Sequence, residues 1–238
     1  MKNINDLKIK IFADGADKSG MLEMNSRSYI SGLTTNPTLM KRAGITDYST
    51  FCKDILKHIN DKPISFEVFS DSFDEMERQA TEISSWGDNI YVKIPITNTK
   101  KEPCYDMIRR LSSRGIKLNI TAIFTLEQVK NVVNVLDPNI SNYISVFAGR
   151  IADTGIDPIP IMKESVELLK VSEKFELIWA SPRELLNIIQ ADEIGCHIIT
   201  VTNDILSKLK LLSYDLDEYS LDTVKMFYRD AVEAGFTL

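Results

Sequence analysis

The heptapeptide IYVKIPI, residues 90–96, has the length and the β-branched composition of a buried β-strand. Its central residue is Lys93. An ammonium group removed from water without a partner is strongly destabilised, and its usual escape is to lose the proton, which leaves an amine that can attack a carbonyl. The alternative is a structural lysine that reaches solvent at a strand end or pairs with one buried carboxylate. This strand alone favours neither interpretation.

The predicted strands on either side of Lys93 carry polar residues at the same period of two. They are the segments PISFEVF, residues 63–69, and KLNITAI, residues 117–123. Because successive side chains of a strand point to opposite faces, one face of the three strands is polar. Its residues are Ser65, Glu67, Tyr91, Lys93, Asn119 and Thr121. The other face is apolar and should pack against helices, so closure of the sheet into a barrel would enclose a polar site.

Length and composition narrow the class of protein. The 238 residues, 44% of them hydrophobic, fit one domain of barrel size better than two small ones. The net charge of −6 and the lack of basic runs with interleaved aromatic residues argue against a nucleic-acid partner. Cys52, Cys104 and Cys196 are far apart and form no CxxC motif, so we expect three reduced thiols. Residues 1–6 contain no apolar core of signal-peptide length, and no apolar run is long enough to span a membrane, so we expect a soluble cytoplasmic protein without a membrane partner.

Strand-like runs alternate with helical periodicity along the whole chain, and no linker marks a second domain. The predicted strands span residues 9–14, 32–36, 64–69, 90–96, 117–123, 143–148, 176–180 and 197–201. The predicted helices span residues 47–59, 72–86, 105–114, 126–136, 159–172, 183–194 and 204–211, and an amphipathic helix at 222–234 follows an acidic connector at 215–218. Eight such βα units predict an α/β fold, a single (β/α)8 TIM barrel over residues 1–238 with an extra C-terminal helix at about 220–236. The rival is a doubly wound open sheet, which often has a glycine-rich first turn, but the sequence contains no GxGxxG or P-loop pattern.

In a (β/α)8 barrel the functional side chains lie at the C-terminal ends of the strands. Polar residues occur at most of these predicted ends, among them Asp14, Asn36, Glu67, Asn119, Thr121, Arg150, Ser181 and Arg183. Arg150 and Arg183 leave neighbouring strands, and two planar guanidinium groups suit the oxygens of one phosphate or sulfonate. Taken singly, each arginine is better explained by a surface ion pair, but together they favour an anion clamp.

At these residues the chain resembles the transaldolase family over nearly its whole length. The most specific segments are GLTTNPT, residues 32–38, and VKIP, residues 92–95. Three further segments support them: LNITAIF at 118–124, FAGRI at 147–151 and ASPR at 180–183. The length is similar to that of the short branch, which includes the fructose-6-phosphate aldolases. One departure is Gly15, because the family more often has threonine after the first aspartate, and we expect this change to affect the local turn.

The resemblance implies class I, Schiff-base chemistry that needs no cofactor. Lys93 would attack the ketone of a ketose phosphate, and the resulting imine would act as the electron sink. Glu67, through a water placed by Thr121, would move the protons of carbinolamine formation and dehydration. Asp14 would accept the proton of the C4 hydroxyl when the C3–C4 bond breaks.

The resemblance also implies which residues bind the substrate. The sugar hydroxyls and the phosphate would be held by Asn36, Asn119, Ser145, Phe147, Arg150, Ser181 and Arg183. No metal site is predicted, because the two histidines, His58 and His197, occur without an HExxH motif or a carboxylate at metal-ligand spacing.

Three positions favour transfer over cleavage: Glu67, Asn119 and Phe147. Aldolase-type members of the family tend to carry glutamine, a smaller or hydroxyl residue, and tyrosine there. A tyrosine hydroxyl beside the enamine would help to deliver a proton, whereas phenylalanine offers none. The implied reaction is transfer of a dihydroxyacetone unit from a ketose phosphate, such as fructose 6-phosphate or sedoheptulose 7-phosphate, to an aldose phosphate.

Three alternatives remain open at this point. They are an aldolase-type lyase acting on fructose 6-phosphate, a transaldolase acting on a related sulfonated sugar, and a barrel that binds a sugar phosphate without turnover. In every alternative except the sulfonated-sugar enzyme, the partners would be small sugar phosphates. In short members of the family a C-terminal helix packs on a neighbouring subunit, so the resemblance also implies a homo-oligomer.

Overall fold

The computed structural model describes residues 4–238 and contains a closed barrel of eight parallel β-strands in chain order. The strands are β1 Lys10–Asp14, β2 Ile30–Thr34, β3 Ile64–Glu67, β4 Ile90–Pro95, β5 Leu118–Ile123, β6 Asn142–Val146, β7 Phe175–Trp179 and β8 Ile198–Thr202. Each strand pairs with the next, and β8 pairs with β1. The predicted barrel is therefore confirmed, and each predicted strand end lies within two residues of the observed one. The prediction that residues 1–6 lack a signal segment lies partly outside the described residues.

Helices follow the strands around the outside of the barrel. They are α1 Lys18–Ser26, α2 Pro37–Arg42, α3 Tyr48–Leu56, α4 Phe73–Ser84, α5 Tyr105–Ser113, α6 Leu126–Val133, α7 Ala148–Asp153, α8 Ile159–Leu169, α9 Leu186–Glu193, α10 Asn203–Leu206 and α11 Leu216–Glu233. The prediction misses α1, α2 and α7, because α2 and α7 have only six residues each and α1 contains Gly20. The predicted helix at 204–211 is divided into α10 and the 3-10 helix Ser207–Leu211. In the described part of the chain, no helix is both long and apolar enough to cross a membrane.

The start of the C-terminal helix corrects one prediction. The acidic residues at 215–218 do not form a connector, because the Asp215 carboxylate accepts hydrogen bonds from the backbone N–H groups of Asp217 and Glu218 and caps α11. Asp217 and Glu218 then lie in the first helical turn, where the helix dipole favours negative charge. The helix therefore begins at Leu216, and apolar side chains such as Phe227, which is 63% exposed, lie open to solvent along it.

Two separate apolar regions enclose the strands. The larger one lies between the strands and the helices and contains Ile64, Val92, Ile94 and Ile120, in agreement with the predicted apolar face. The smaller one fills the inside of the barrel and consists of Phe12, Tyr143, Ile178, Ala180 and Ile198, with Tyr91 and Phe147 packed against it. The alternation along each strand thus separates an outer core from an inner layer.

The aromatic side chains of the inner layer form a floor across the barrel. The rings of Tyr91 and Tyr143 stack with centroids 3.8 Å apart, and Phe12 contacts Tyr143 edge to face at 5.7 Å. Each of these residues lies two positions before a polar residue on its own strand. The pairs are Phe12 and Asp14, Tyr91 and Lys93, and Tyr143 and Ser145. The polar residues therefore form the next layer toward the C-terminal ends of the strands.

Gly32 leaves room for this floor. A Cβ atom at Gly32 would lie 2.5 Å from the Phe12 ring, closer than any carbon contact allows. Gly32 and Phe12 are register partners on β2 and β1, so their backbones are held at a fixed distance. A larger residue at position 32 would therefore have to displace the Phe12 ring, which a glycine does not.

We predict that Gly32→Ala lowers the free energy of unfolding by about 1–3 kcal/mol, the usual cost of overpacking a rigid core. Urea unfolding measures the change. The same substitution in a Phe12→Leu background should cost less, because the smaller side chain vacates the space. Gly15→Ala is the matched control, since no atom lies within 4 Å of a Cβ built there. An equal loss from Gly32→Ala in both backgrounds would contradict the steric explanation.

Candidate active site

A cavity of about 80 Å³ opens at the C-terminal ends of the strands. It is lined by Asp14, Thr34, Asn36, Lys93, Asn119, Thr121, Ser145, Phe147, Arg150, Ala180, Ser181 and Thr200. Nine of these twelve residues are among the site residues predicted from sequence; the three additional ones are Thr34, Ala180 and Thr200. Of the two remaining predicted residues, Glu67 lies against Lys93 and Arg183 lies at the rim.

Lys93 is buried and is held by two oxygen atoms. Its side chain is 8% exposed, and its Nζ atom lies 3.1 Å from Oε2 of Glu67. The same Nζ donates a hydrogen bond of 3.0 Å to the backbone carbonyl oxygen of Thr35. Lys93 is thus paired with a carboxylate, which is the contact expected of a purely structural lysine. The same carboxylate, that of Glu67, is also the group predicted to exchange protons with Lys93.

The barrel register and a tyrosine hydroxyl position Glu67. Glu67 on β3 is the register partner of Lys93 on β4, so the two side chains enter the barrel at the same level. The Tyr48 hydroxyl on α3 donates a hydrogen bond of 2.7 Å to the backbone oxygen of Glu67, which fixes the end of β3. The Glu67 side chain is 18% exposed, more than the 8% of the Lys93 side chain that it contacts.

The Asn119 amide is held at both ends. Its Nδ2 atom donates to Ser65 Oγ at 3.0 Å, and its Oδ1 atom accepts from Ser145 Oγ at 2.7 Å. Asn119 is fully buried and is the register partner of Lys93 on β5. Its orientation is therefore fixed before any substrate enters, and Ser65, which was not predicted as a site residue, contributes to it.

Thr121 presents an unpaired hydroxyl. Its Oγ1 atom is buried and has no hydrogen-bond partner, although the side chain lines the cavity. A buried hydroxyl without a partner is costly, so a ligand or a water at this position would relieve the cost. A role for Thr121 in placing a water stays a prediction.

Asn36 combines a structural contact with a place in the cavity. Its Oδ1 atom accepts a hydrogen bond of 3.0 Å from the N–H of Leu39 and caps α2, which begins at Pro37. Because Oδ1 is engaged, the amide nitrogen is the group that Asn36 can offer to a ligand.

Asp14 lies at the end of β1 beside the cavity. Its Oδ1 atom accepts a hydrogen bond of 2.7 Å from Thr34 Oγ1. Burial raises the pKa of the Asp14 carboxyl, the positive charge of Lys93 and the bond from Thr34 lower it, and the charge of Glu67 adds to the rise. The net direction is upward, which makes the carboxylate a better proton acceptor than an exposed aspartate.

A glycine brings the two arginine-bearing segments together. Gly149 is the second residue of α7 and lies against the loop after β7. A Cβ atom at Gly149 would lie 1.6 Å from the carbonyl oxygen of Ser181. Ser181 itself has a φ of +59°. Because of this close approach, Arg150 and Ser181 line the same side of the cavity.

The two arginines differ in their environment. The Arg150 guanidinium lies over the Phe147 ring at 5.2 Å and lines the cavity. Arg183 Nε lies 2.9 Å from an oxygen of Asp153, and Arg183 Nη1 donates to Ser181 Oγ at 3.0 Å. Arg183 therefore makes the surface ion pair that the simpler interpretation expected, while its contact with Ser181 directs one edge toward the cavity. A role for it in anion binding stays a prediction.

Phe147 presents an aromatic ring without a proton donor to the cavity. The ring packs against Phe124 at 5.7 Å, and together with Arg150 it forms one wall. Elsewhere, His197 Nδ1 accepts a hydrogen bond of 3.1 Å from the backbone N–H of Leu177, which gives His197 a structural role between β7 and β8. Within residues 4–238, no three His, Cys, Asp or Glu side chains are grouped so as to hold a metal ion.

The residues that sequence analysis missed share one signal. Thr34 on β2, Ser65 on β3 and Thr200 on β8 are polar residues at strand positions that face the barrel interior. The period of two along each strand was sufficient to place them there, as it placed Lys93. What the period does not reveal is which interior hydroxyl contacts which carboxylate or amide.

Comparison with solved structures shows the same fold in proteins of low sequence identity. KGPDC from Streptococcus mutans matches with a TM-score of 0.56 and 11% identity, covering 83% of this chain and 89% of the other. Tryptophan synthase subunit alpha from Campylobacter jejuni matches with a TM-score of 0.56 and 14% identity, covering 89% of this chain and 92% of the other. These likenesses concern the barrel alone.

Sequence comparison is more specific. A protein of Thermoanaerobacter sp. (strain X514) named "Probable transaldolase" is 33% identical over 224 residues, which cover 94% of this chain and 98% of the relative. A "Probable transaldolase" of Streptococcus pyogenes serotype M5 (strain Manfredo) is 33% identical over 202 residues, covering 84% and 90%. The family model described as Transaldolase/Fructose-6-phosphate aldolase matches residues 11–238, which contain the whole cavity lining. The chain therefore belongs to the transaldolase/fructose-6-phosphate aldolase family.

Proposed function

We propose that the protein is a Schiff-base transaldolase that moves a dihydroxyacetone unit from a ketose phosphate, such as fructose 6-phosphate or sedoheptulose 7-phosphate, to an aldose phosphate. The observation that carries the proposal is the buried Lys93 with Glu67 at 3.1 Å and with Asp14 on the wall of the same cavity. A barrel that only binds sugar phosphates would have little use for a buried amine beside two carboxylates. Family membership supports the same conclusion.

The first step is imine formation at Lys93. Transfer of its proton to Glu67 leaves a neutral amine, which attacks the C2 carbonyl of the ketose. Loss of the carbinolamine oxygen as water needs a proton, and Glu67 can return one, through a water held by the unpaired Thr121 hydroxyl. One C–N double bond forms and one water leaves.

The second step is cleavage of the C3–C4 bond. Asp14 accepts the proton of the C4 hydroxyl, C4 becomes an aldehyde carbonyl, and the bonding electrons pass into the iminium to give an enamine. The aldose phosphate leaves, and the three-carbon unit stays on Lys93. Attack of the enamine on a second aldehyde reverses these movements, with Asp14 returning the proton.

The remaining predicted residues hold the substrate. Asn119, fixed by Ser65 and Ser145, presents a rigid polar wall to the hydroxyls of the three-carbon unit. Arg150, Ser181 and Arg183 lie on the side where the phosphate would bind, so the substrate would span the cavity from Lys93 to the rim between β6 and β7.

Transfer is favoured over net cleavage because the aromatic wall of the cavity carries a phenylalanine, Phe147, and not a tyrosine whose hydroxyl could protonate the enamine. Phe147 supplies no hydroxyl, and the amide of Asn119 is already engaged at both ends. The enamine would therefore persist until an acceptor aldehyde arrives. The second candidate function is cleavage of fructose 6-phosphate, which the family description also includes, and a sulfonated sugar is a further substrate that an arginine clamp would accept.

We further propose that the protein works in the cytoplasm as a homo-oligomer, without a cofactor. The exposed apolar side chains of α11, which include Val224, Phe227 and Val232, support association of the chain with copies of itself.

The first prediction concerns the covalent step. Borohydride reduction in the presence of fructose 6-phosphate should add a three-carbon fragment to Lys93, and peptide mass spectrometry locates it. Lys93→Ala should lose both labelling and turnover. Lys117→Ala is the matched control, because this lysine immediately precedes β5, its Nζ lies 5.2 Å from the centroid of the Tyr91 ring, and it is not part of the cavity lining. Labelling of another lysine would contradict the assignment, as would loss of activity in EDTA that zinc restores.

The second prediction concerns the anion clamp. Arg150→Ala and Arg183→Ala should each raise KM for phosphorylated donors by about 10- to 100-fold, because a hydrogen bond to a charged group is lost, and should leave unphosphorylated donors nearly unchanged. Steady-state kinetics with fructose 6-phosphate and fructose measures the difference. Arg114→Ala, a surface arginine paired with Glu77, is the control. Equal effects on both donors would show that the arginines are structural.

The third prediction concerns the fate of the enamine. With fructose 6-phosphate alone the native enzyme should release little dihydroxyacetone, and erythrose 4-phosphate should raise turnover strongly. Phe147→Tyr should increase release without acceptor, because a hydroxyl beside the enamine can deliver a proton. Phe124→Tyr, on the neighbouring ring, is the control. Equally fast release from the native enzyme with and without acceptor would favour the aldolase function instead.

A further inference from the structure

Two threonine hydroxyls form a chain that ends on Asp14. Thr34 Oγ1 donates to Asp14 Oδ1 at 2.7 Å and is also hydrogen-bonded to Thr200 Oγ1. Both threonines are buried, with 2% and 7% exposure, and both line the cavity. They come from β2 and β8, the two strands that flank β1, so Asp14 is held from both sides of its own strand.

The direction of the chain follows from the number of protons available. A threonine hydroxyl has one proton, and the proton of Thr34 is used in the bond to Asp14. When Asp14 is ionised, Thr200 is therefore the donor in the contact with Thr34. Each donor polarises the next, so the Thr200 hydroxyl strengthens the bond that Thr34 makes to the carboxylate.

We propose that Thr34 and Thr200 are positioning residues that hold the Asp14 side chain in its carboxylate form with Oδ2 directed at the substrate hydroxyl. This inference rests on the proposed function, in which Asp14 accepts the C4 hydroxyl proton. Because Oδ1 already accepts a hydrogen bond from Thr34, Oδ2 is the more basic oxygen and the better acceptor for that proton. Neither threonine needs to touch the reacting atoms for this role.

The chain counters the effect of burial at Asp14. Two charged groups on strands that are not adjacent to β1 also act on Asp14: Lys93 on β4 favours the carboxylate and Glu67 on β3 disfavours it. The bond from Thr34 acts in the same direction as Lys93 and lowers the pKa of Asp14. When Lys93 becomes part of a substrate imine and its position changes, the threonine chain remains, since it is built from the strands themselves.

The test is Thr34→Val, which keeps the shape of the side chain and removes the hydroxyl. We expect kcat/KM for transfer from fructose 6-phosphate to erythrose 4-phosphate to fall by about 10- to 100-fold, the range for a lost hydrogen bond to a charged group. The pKa of Asp14 should rise, and protonated Asp14 cannot accept a proton, so the acid limb of the kcat/KM profile should move to higher pH. Thr200→Val should shift that limb in the same direction by less, and Thr34→Ser should restore both rate and limb.

A second readout separates this inference from the proposed function. Dihydroxyacetone with borohydride should label Lys93 equally in the native enzyme and in Thr34→Val, because imine formation does not require Asp14. Absence of labelling in the native enzyme would reject the Schiff-base function itself. Labelling with an unmoved acid limb in both valine variants would reject the threonine chain and leave the function standing.

A control variant removes a buried hydroxyl elsewhere. Ser165→Ala on α8 deletes a fully buried hydroxyl that donates to the Ile161 carbonyl, outside the cavity lining. Its acid limb should match that of the native enzyme. If Thr34→Val does not fold, the limb of Thr200→Val decides the outcome, because that substitution leaves the bond between Thr34 and Asp14 in place.

Discussion

The closed register of the parallel strands places Lys93 level with Glu67 on one side and with Asn119 on the other. These three side chains share one layer of the barrel, so their contacts are set by backbone pairing rather than by flexible loops. A buried ammonium and carboxylate are each costly in isolation, and they are tolerated here because they lie within contact distance and because the Thr35 carbonyl accepts a further bond from the lysine. The geometry of the site is thus a consequence of barrel closure.

The aromatic floor gives this polar layer its low-dielectric support. Tyr91 and Tyr143 stack directly below Lys93 and Ser145 on the same strands, and Phe12 fills the remaining space because Gly32 has no side chain. This layer places apolar side chains, and not solvent, on the N-terminal side of the charged groups. This agrees with the pKa of Asp14, on which burial has the largest effect although the residue borders a cavity.

Sequence reasoning predicted the barrel and most of the site for one physical reason: the period of two along a strand is a strict constraint, and the C-terminal ends of parallel strands meet. The structure accordingly brings Lys93, Glu67 and Thr121 to the same end of the barrel, and their roles stay predictions. Pairwise contacts were beyond that reasoning, since the partnership of Asp14 with Thr34 depends on register between strands. The start of α11 differs from the prediction because acidic residues in a row are typical of a connector, whereas Asp217 and Glu218 here complement the dipole of a helix that Asp215 caps.

The ion pair between Arg183 and Asp153 bears on how an anion would be received at the rim. Both side chains are about half exposed, at 45% and 50%, so water screens their attraction and the ion pair contributes little to stability, although it favours one orientation of the guanidinium. The Asp153 carboxylate occupies the Nε edge, and Nη1 is directed toward Ser181 at the cavity wall. An incoming phosphate would thus meet one arginine already oriented by a carboxylate and another, Arg150, oriented by the Phe147 ring. Each guanidinium group is thus oriented by a contact of its own before an anion binds. Less side-chain entropy is then lost on binding, which favours binding of an anion by two flexible side chains.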